Sequence, residues 1–240
     1  MGFLRDIMAD TGCKGFVIGL SGGIDSAVVT KLAADAVGGD KILNIFMPVD
    51  STPMDDYDIT ESMSRMWGTK LKVMNIQSAV DTFVKITGTE DRMDIGNIAA
   101  RSRAIVLFNE ARRNRYIVLG TSNRSELMMG YFTKFGDGAC DAMPISGLFK
   151  TQVRELAREI GIPEEVISKP PSAGLWEGQT DEGDMQITYD DLDRILMAMD
   201  EGKDPAFLVS DTMTIDDVQR VVRRVSSMVH KTSPPYRPSI

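Results

Sequence analysis

A short apolar run that ends in a pair of glycines is the feature that most constrains the fold of this chain. Residues 15–20, Gly-Phe-Val-Ile-Gly-Leu, have the length and composition of a strand buried on both faces of a parallel sheet. The run stops at Ser21-Gly22-Gly23, and from Ile24 onward apolar residues recur at the spacing of a helix face. A strand, a tight turn and a helix in direct succession form one unit of an α/β fold.

Similar apolar runs recur at 42–47, 71–76 and 116–120, with helical patterns between them. Such alternation predicts a mostly parallel sheet with helices on both faces. A weaker run at 141–145 adds a fifth strand to the prediction. We therefore predict the α/β class, with one Rossmann-like domain over residues 1–240 and a five-stranded, mostly parallel sheet.

The composition argues against several kinds of protein. A formal net charge of −8 disfavours broad electrostatic binding to nucleic acid. No apolar stretch has the length of a membrane span, and no signal peptide precedes the first helix. Cys13 and Cys140 have neither metal-ligand nor disulfide spacing, which favours packing roles in a reducing cytoplasm.

The loop from Ser21 to Ser26 predicts an anion site with a cation beside it. Its two glycines let backbone N–H groups point outward at a helix N-terminus, where the helix dipole also favours negative charge. The hydroxyls of Ser21 and Ser26 add donors, and Asp25 is explained if a metal ion shares the site. The loop has neither the Walker pattern nor the dinucleotide-binding glycine pattern. A turn that uses glycine only for backbone freedom is the alternative interpretation.

A second carboxylate falls at a neighbouring strand end. Glu126 follows Gly120 at the start of the helix after the 116–120 run. The carboxyl ends of parallel strands meet at one edge of a sheet, so Asp25 and Glu126 together can offer oxygen ligands to Mg²⁺. Taken alone, an acidic residue in a first helical turn is as readily explained as a partner of the helix dipole.

Residues 131–141, Tyr-Phe-Thr-Lys-Phe-Gly-Asp-Gly-Ala-Cys-Asp, combine aromatic rings with one lysine and two aspartates. This combination suits a planar, charged ligand such as a nicotinate ring. Lys150 and Arg101 can bring positive charge to phosphates, although such residues are also ordinary surface groups. His230 is the only histidine, so no histidine-based catalysis is predicted.

Farther along the chain, Thr188 and Thr214 are predicted to begin helices as N-cap residues. Two stretches lack a regular pattern. Residues 84–96 are polar and contain glycine, and we predict a flexible loop there. Residues 168–187 form a connection without a secondary-structure pattern, which we predict to be a lid because Leu175 and Trp176 could close over a ligand.

In this order, the motifs resemble those of ammonia-dependent NAD synthetases, a family within the ATP pyrophosphatase superfamily. The resemblance rests on the 21–26 loop, Gly-Asn-Ile-Ala-Ala-Arg at 96–101, and the segments 120–126, 131–138, 144–153, 171–182 and 230–231. It implies a fold of the ATP pyrophosphatase type and a cytoplasmic, homodimeric ligase. The implied reaction is the last step of NAD biosynthesis, in which deamido-NAD, ATP and ammonia give NAD, AMP and pyrophosphate.

The resemblance also implies roles for individual residues. The implied ATP-binding residues are Gly19, Leu20, Ser21, Gly22, Gly23, Ile24, Asp25, Ser26, Thr121, Lys150 and Ser172. The implied deamido-NAD-binding residues are Arg101, Lys134, Asp141, His230 and Lys231. Asp25 and Glu126 are the implied Mg²⁺ ligands, and Asp137 and Lys150 the implied catalytic residues.

The implied mechanism passes through an acyl adenylate. The nicotinate carboxylate attacks the α-phosphorus of ATP, with Mg²⁺ and Lys150 neutralising the charge that develops towards pyrophosphate. Ammonia then displaces AMP, and Asp137 binds ammonium and accepts its proton. Because 240 residues leave no room for the amidase domain of glutamine-dependent relatives, free ammonia is the expected nitrogen donor.

Two other functions fit parts of the pattern. Other ATP pyrophosphatases include tRNA-modifying thiolases and lysidine synthetases, but the acidic charge and the unremarkable cysteines count against an RNA-modifying enzyme. A regulatory module that binds nucleotide without turnover is the non-enzymatic alternative. The presence of Asp25, Glu126, Lys134, Asp137 and Lys150 together counts against it.

Overall fold

A parallel sheet lies at the centre of the computed structural model, which describes residues 1–172, 174 and 178–238. In the described residues its strands are β1 (Phe16–Gly19), β2 (Ile42–Phe46), β3 (Lys70–Val73) and β4 (Ile117–Leu119), in the order β3-β2-β1-β4. All neighbouring pairs are parallel. The loops after β1 and β4 therefore leave the sheet side by side at one edge. The α/β prediction with a parallel sheet is confirmed.

The prediction of a fifth strand at 141–145 is wrong for this structure. The segment forms a single parallel bridge, between Ala142 and Leu119. Two features end the ladder there. The Asp141 carboxylate accepts the Val118 N–H at 2.7 Å, so a side chain takes the place of a strand carbonyl. Position 144 is the next one at which a backbone N–H would face β4, but the residue there is proline, which has no N–H to donate.

The helices surround this sheet and carry most of the chain. They are α1 (Gly2–Thr11), α2 (Ile24–Val37), α3 (Met54–Met66), α4 (Gln77–Thr87), α5 (Arg92–Asn114), α6 (Arg124–Met129), α7 (Lys150–Glu159), α8 (Glu164–Ile167), α9 (Asp181–Met185), α10 (Tyr189–Asp200) and α11 (Ile215–Thr232). Thr188 caps α10 and Thr214 caps α11, each accepting a hydrogen bond from a backbone N–H of the first turn. Both N-cap predictions are confirmed.

Successive side chains along β1 point to opposite faces of the sheet, so the core has two parts. Phe16 and Ile18 pack with α1, α2, α7 and α8 on one face, while Val17 packs with α4 and α5 on the other. A separate apolar cluster joins α6, α10 and α11. The two cysteines are free and lie partly buried among these clusters, as expected of packing residues. No helix in the described part of the chain is long and apolar enough to cross a bilayer.

The two segments that were predicted to be irregular, residues 84–96 and 168–187, contain helix. α4 continues to Thr87 and α5 begins at Arg92, where Asp91 caps it by accepting the Met93 and Asp94 N–H groups. Only residues 88–91 connect the two helices. The 168–187 segment contains α9, so the expectation of no secondary structure is wrong there. Leu175 and Trp176, on which the lid prediction depended, lie outside the described residues.

Candidate functional site

The loop after β1 is folded by its own serines. Gly22 has φ +82°, a left-handed conformation that glycine adopts without strain. Ser26 is buried, and its hydroxyl accepts the Ser21 N–H at 3.2 Å and donates to the Gly23 carbonyl at 2.9 Å. Ser26 therefore shapes the loop, and most of its hydrogen-bonding capacity is used within it. Gly23 caps α2 without a side chain, so the first N–H groups of this helix remain for an anion.

Lys150 forms the centre of the site. It is the first residue of α7, and only 2% of its side chain is exposed. Its Nζ lies 2.5 Å from Asp25 Oδ2 and 3.6 Å from Glu126 Oε1, and 5.2 Å above the Tyr189 ring. Asp25 and Glu126 thus meet at one ammonium, as the rule on strand ends predicted. The Asp25 carboxylate balances the Lys150 ammonium, and Glu126 adds a second carboxyl group beside it.

Asn123 orients both carboxylates, a role that was not predicted from the sequence. Its side-chain N–H donates to Asp25 Oδ1 at 2.9 Å. Its oxygen accepts the Glu126 N–H at 3.0 Å, while its own backbone N–H donates to Glu126 Oε2 at 3.2 Å, which completes a capping box. The spacing Asn-x-x-Glu at a helix start is the sequence pattern that could have revealed this role.

Asp193 on α10 joins the beginnings of α6 and α7. Its Oδ1 accepts the Ser125 hydroxyl at 2.5 Å, and its Oδ2 accepts the Thr151 N–H at 2.8 Å. Ser125 Oγ in turn accepts the Lys150 N–H at 3.0 Å. Ser125 precedes Glu126, and Thr151 follows Lys150. The buried Asp193 carboxylate therefore fixes the two helix turns that present the site, and no local pattern in the sequence indicated it.

The crowding of charges changes the proton affinities of the site. Desolvation, followed by the negative charge of Asp25, raises the pKa of Glu126 from 4.5 to about 8, although Lys150 opposes the rise. Burial by itself would lower the pKa of Lys150, but Asp25 and Glu126 outweigh it and the pKa lies above its usual value. Lys150 is therefore a fixed cation, and Glu126 is the group that takes up a proton near neutral pH.

The raised pKa of Glu126 predicts a pH-dependent effect of Glu126→Gln in protein freed of divalent metal and nucleotide. In the wild type, Glu126 has a pKa of about 8 in the folded state and an ordinary value of 4.5 in the unfolded state. Its contribution to the free energy of unfolding is therefore complete below pH 4.5 and is lost as the pH rises through about 8. Glutamine has no proton to lose. We expect the melting temperature of the variant, relative to wild type, to rise between pH 5 and pH 9, as calorimetry can measure. A constant difference, like that expected of the substitution Glu165→Gln at an exposed position of α8, would contradict the prediction.

A second group of predicted residues lies around residues 130–137. Lys134 Nζ donates to the His230 carbonyl at 2.5 Å. Lys231 Nζ donates to the carbonyls of Gly130 and Phe132 at 2.7 and 2.6 Å, so it also fixes the 130–132 segment to the end of α11. Asp137 Oδ1 accepts the Thr133 N–H at 2.8 Å. Lys231 interacts electrostatically with both Asp137 and Arg101, which brings these predicted residues into one neighbourhood.

The remaining predicted residues are more scattered. Asp141 is exposed and bonds the Val118 N–H, so the structure gives it a role at the sheet edge. Thr121 is partly exposed just beyond β4, and the Ser172 hydroxyl accepts the Gly174 N–H at 3.0 Å. Their predicted ligand contacts stay predictions.

The Asp25–Glu126 pair fits a Mg²⁺ ion that substrate phosphates help to bind. Among the described residues, no group of three or more His, Cys, Asp or Glu side chains is placed to hold a metal ion. Mg²⁺ commonly uses only one or two carboxylates and completes its octahedral shell with phosphates and water. The two side chains are 18% and 16% exposed and converge on the same cation, so both can reach a metal ion brought by a nucleotide.

Comparison with known proteins identifies the family. The NAD synthase family model matches residues 1–235. The chain belongs to the NAD synthase family. It is 40% identical to the NH(3)-dependent NAD(+) synthetase of Methanosarcina mazei, with 99% of this chain and 95% of that protein covered.

Solved structures of similar proteins show the same fold over the whole chain. The structure of NMN synthetase from Francisella tularensis has a TM-score of 0.88 and 34% identity, covering 100% of this chain and 95% of that one. The NH3-dependent NAD synthetase from Campylobacter jejuni has a TM-score of 0.85 and 27% identity, with 99% and 95% covered.

Membership in the NAD synthase family establishes the kind of enzyme. The chain is a ligase that forms a C–N bond in an amidation reaction of NAD biosynthesis, with ATP as co-substrate and small molecules as its other substrates. The alternatives of an RNA-modifying enzyme and of a module without turnover are thereby set aside.

Proposed function

We propose that this ligase amidates deamido-NAD with ammonia through an acyl adenylate, releasing NAD, AMP and pyrophosphate. One observation carries the proposal: a buried ammonium, that of Lys150, is held between a carboxylate of the phosphate loop and a carboxylate of α6. Such a group suits a reaction that separates pyrophosphate from an activated carboxylate, because charge develops on phosphate oxygens in the transition state.

Different residues bind the phosphates, neutralise their charge and hold the metal ion in the first step. The Ser21–Ser26 loop and the first turn of α2 offer backbone N–H groups to the phosphates. Lys150 neutralises charge on the phosphate oxygens, and its buried position means that little water competes for its ammonium. Asp25 and Glu126 would hold Mg²⁺, which when bound supplies further neutralisation of the phosphates.

The second step needs free ammonia at the activated carbonyl. Ammonia is mostly ammonium at neutral pH, so a carboxylate that binds the cation and accepts a proton is required. Asp137 suits this task. The surrounding protein desolvates its carboxyl and raises its pKa, which makes it a better proton acceptor, while the Thr133 N–H moderates the rise and fixes the carboxylate.

The 168–187 segment is proposed to exclude water from the adenylate. A hydrolysed adenylate would waste ATP, so closure over the site has a chemical purpose. The segment is tied down at its second half, where the Asp181 N–H donates to the Pro171 carbonyl at 3.0 Å and Asp181 Oδ2 accepts the Tyr189 hydroxyl at 3.0 Å.

Nicotinate mononucleotide is the second candidate substrate. The similarity to an NMN synthetase over the whole chain favours it, because that name describes amidation of the same nicotinate carboxylate on a smaller molecule. Both substrates contain the nicotinate carboxylate, its ribose and the phosphate on that ribose. They differ in the AMP half of deamido-NAD, so the choice depends on contacts distant from the reacting carbon.

The deciding experiment measures AMP release with each substrate. Purified enzyme is incubated with ATP, Mg²⁺ and either deamido-NAD or nicotinate mononucleotide. Each mixture contains ammonium chloride, glutamine or no nitrogen donor. The amidated product is identified by its mass. We expect rapid AMP release with deamido-NAD and ammonium, and much less with glutamine. A larger kcat/KM for the mononucleotide would transfer the proposal to that substrate.

A homodimer is also proposed. Helices α4 and α5 expose large apolar side chains on one side of the sheet, namely Phe83, Ile86, Met93, Ile105 and Phe108. Arg101, implied to bind deamido-NAD, is exposed on α5 between them. Covering such a surface with a second copy removes apolar area from water and places Arg101 near the interface. Sedimentation equilibrium should give twice the mass of the 26.4 kDa chain.

A further inference from the structure

An ion pair beside the phosphate loop has no role in the function described so far. Asp56 lies in the first turn of α3 and Lys169 lies two residues beyond α8, and Lys169 Nζ pairs with Asp56 Oδ1. Their side chains are 12% and 32% exposed. The pair joins residues 113 positions apart in the chain, and it lies where the 168–187 segment begins.

Asp56 lies close to Gly22 of the phosphate loop. A Cβ atom added to Gly22 would lie 3.4 Å from Asp56 Oδ1 and 3.5 Å from Asp56 Cγ. Oδ1, the oxygen that faces Gly22, is also the oxygen that pairs with Lys169. The Lys169 ammonium is therefore held next to the loop whose N–H groups receive phosphates.

A polyphosphate that enters this loop needs positive charge, because its own negative charges repel one another and the nearby Asp25 carboxylate. Lys150 is already paired with Asp25 and Glu126, which limits the charge that it can offer to a second group. Lys169 keeps a partly exposed, flexible side chain, so its ammonium can turn from Asp56 towards a phosphate without leaving the loop.

We propose that Lys169 binds the polyphosphate of ATP and that Asp56 holds its ammonium beside Gly22 before the nucleotide arrives. The inference rests on the phosphate-binding role of the Ser21–Ser26 loop in the proposed function. Lys169 would contact the same phosphates in the pyrophosphate product. It therefore adds a phosphate-binding residue from the segment that follows α8.

Binding of magnesium pyrophosphate and of ATP tests the proposal on the whole enzyme. Lys169→Met is expected to weaken pyrophosphate binding, measured by titration calorimetry, and to raise the KM for ATP, each about 10- to 100-fold. The KM for the nicotinate substrate should change less than about twofold, and Lys169→Arg should retain most of the affinity because it keeps the charge. Lys31→Met is the matched control, since Lys31 pairs with Asp35 on α2 at 2.5 Å.

A double variant separates direct binding from simple neutralisation of Asp56. If Lys169 served only to neutralise Asp56, Asp56→Asn with Lys169→Met would restore wild-type affinity for pyrophosphate, and that result would overturn the proposal. We expect the double variant to stay weakened. Unchanged pyrophosphate binding in Lys169→Met would overturn it as well. Pyrophosphate binding does not require amidation, so a failure of the proposed reaction would be seen separately in the AMP assay.

Discussion

Lys150→Met should reduce the rate of amide formation at saturating substrates by about 10³-fold. Lys150 supplies a cation that is only 2% exposed and is aimed by Asp25 at the phosphate loop. Methionine keeps the length of the side chain and packs against the same apolar neighbours, but it cannot neutralise charge on the leaving pyrophosphate. The rate of AMP release measures the loss, and the KM values show whether ground-state binding is lost too.

The same substitution should cost stability, although less than it costs activity. Without Lys150, the carboxylates of Asp25 and Glu126 lose their common cation, and the Glu126 carboxylate becomes harder to ionise. Both carboxylates reach water, so we expect a loss of about 1–3 kcal/mol, below the usual cost of breaking a fully buried pair. Lys31→Met again provides the control. A Lys150→Met enzyme with kcat within about tenfold of wild type would remove Lys150 from the mechanism.

The parts of the fold that the sequence predicted are those set by neighbouring residues. The strand ending at Gly19 and the helix beginning at Ile24 follow from a local apolar pattern interrupted by glycines. The helix starts at Thr188 and Thr214 follow from side-chain hydrogen bonds within one turn. The meeting of Asp25 and Glu126 follows from topology, because parallel strands bring their following loops to the same edge.

The errors come from contacts that local patterns do not contain. The 141–145 run had the composition of a strand, but the Asp141 side chain and the missing N–H of Pro144 end the ladder after one bridge. The helix α9 within the predicted lid is five residues long, too short to show a periodic apolar face. A helix of this length depends on its Thr180 cap and on its surroundings.

Contacts between residues far apart in the chain were also not predicted. Lys150 and Asp25 were both expected in the site, but they are 125 residues apart, and only the fold shows that they form an ion pair. Lys169 pairs with Asp56 across 113 residues, and Asp193 bonds Ser125 across 68 residues. Such contacts involve residue types that are ordinary on a protein surface, so neither spacing nor composition distinguishes them.

Asp193→Ala is expected to produce the largest loss of stability in the site region. The carboxylate is 1% exposed and accepts from both Ser125 and Thr151, so alanine leaves the buried Ser125 hydroxyl and the partly buried Thr151 N–H without acceptors. Each unsatisfied group costs about 1–3 kcal/mol, which gives a total loss of about 2–6 kcal/mol. At about 2–4 °C per kcal/mol for a chain of this size, calorimetry should show a clear fall in melting temperature.

Asp193→Asn separates the positioning of the catalytic groups from stability. Desolvation raises the pKa of Asp193, so its charged form is disfavoured by burial and a neutral amide avoids that cost. Asparagine can still accept the Thr151 N–H, but the Ser125 hydroxyl loses its anionic acceptor. We expect a melting temperature within a few degrees of wild type and a kcat lowered about tenfold with little change in the KM for ATP.

That pattern depends on Asp193 acting through Ser125 on both Glu126 and Lys150. The matched control is Asp190→Asn on the same helix, since the Asp190 side chain is 81% exposed and makes only a 4.0 Å contact with Arg154. If kcat of Asp193→Asn instead fell only in proportion to the fraction of unfolded protein, Asp193 would be a packing residue. If kcat fell in the folded enzyme while the control stayed unchanged, Asp193 would be a positioning residue that acts through Ser125 on Glu126 and Lys150.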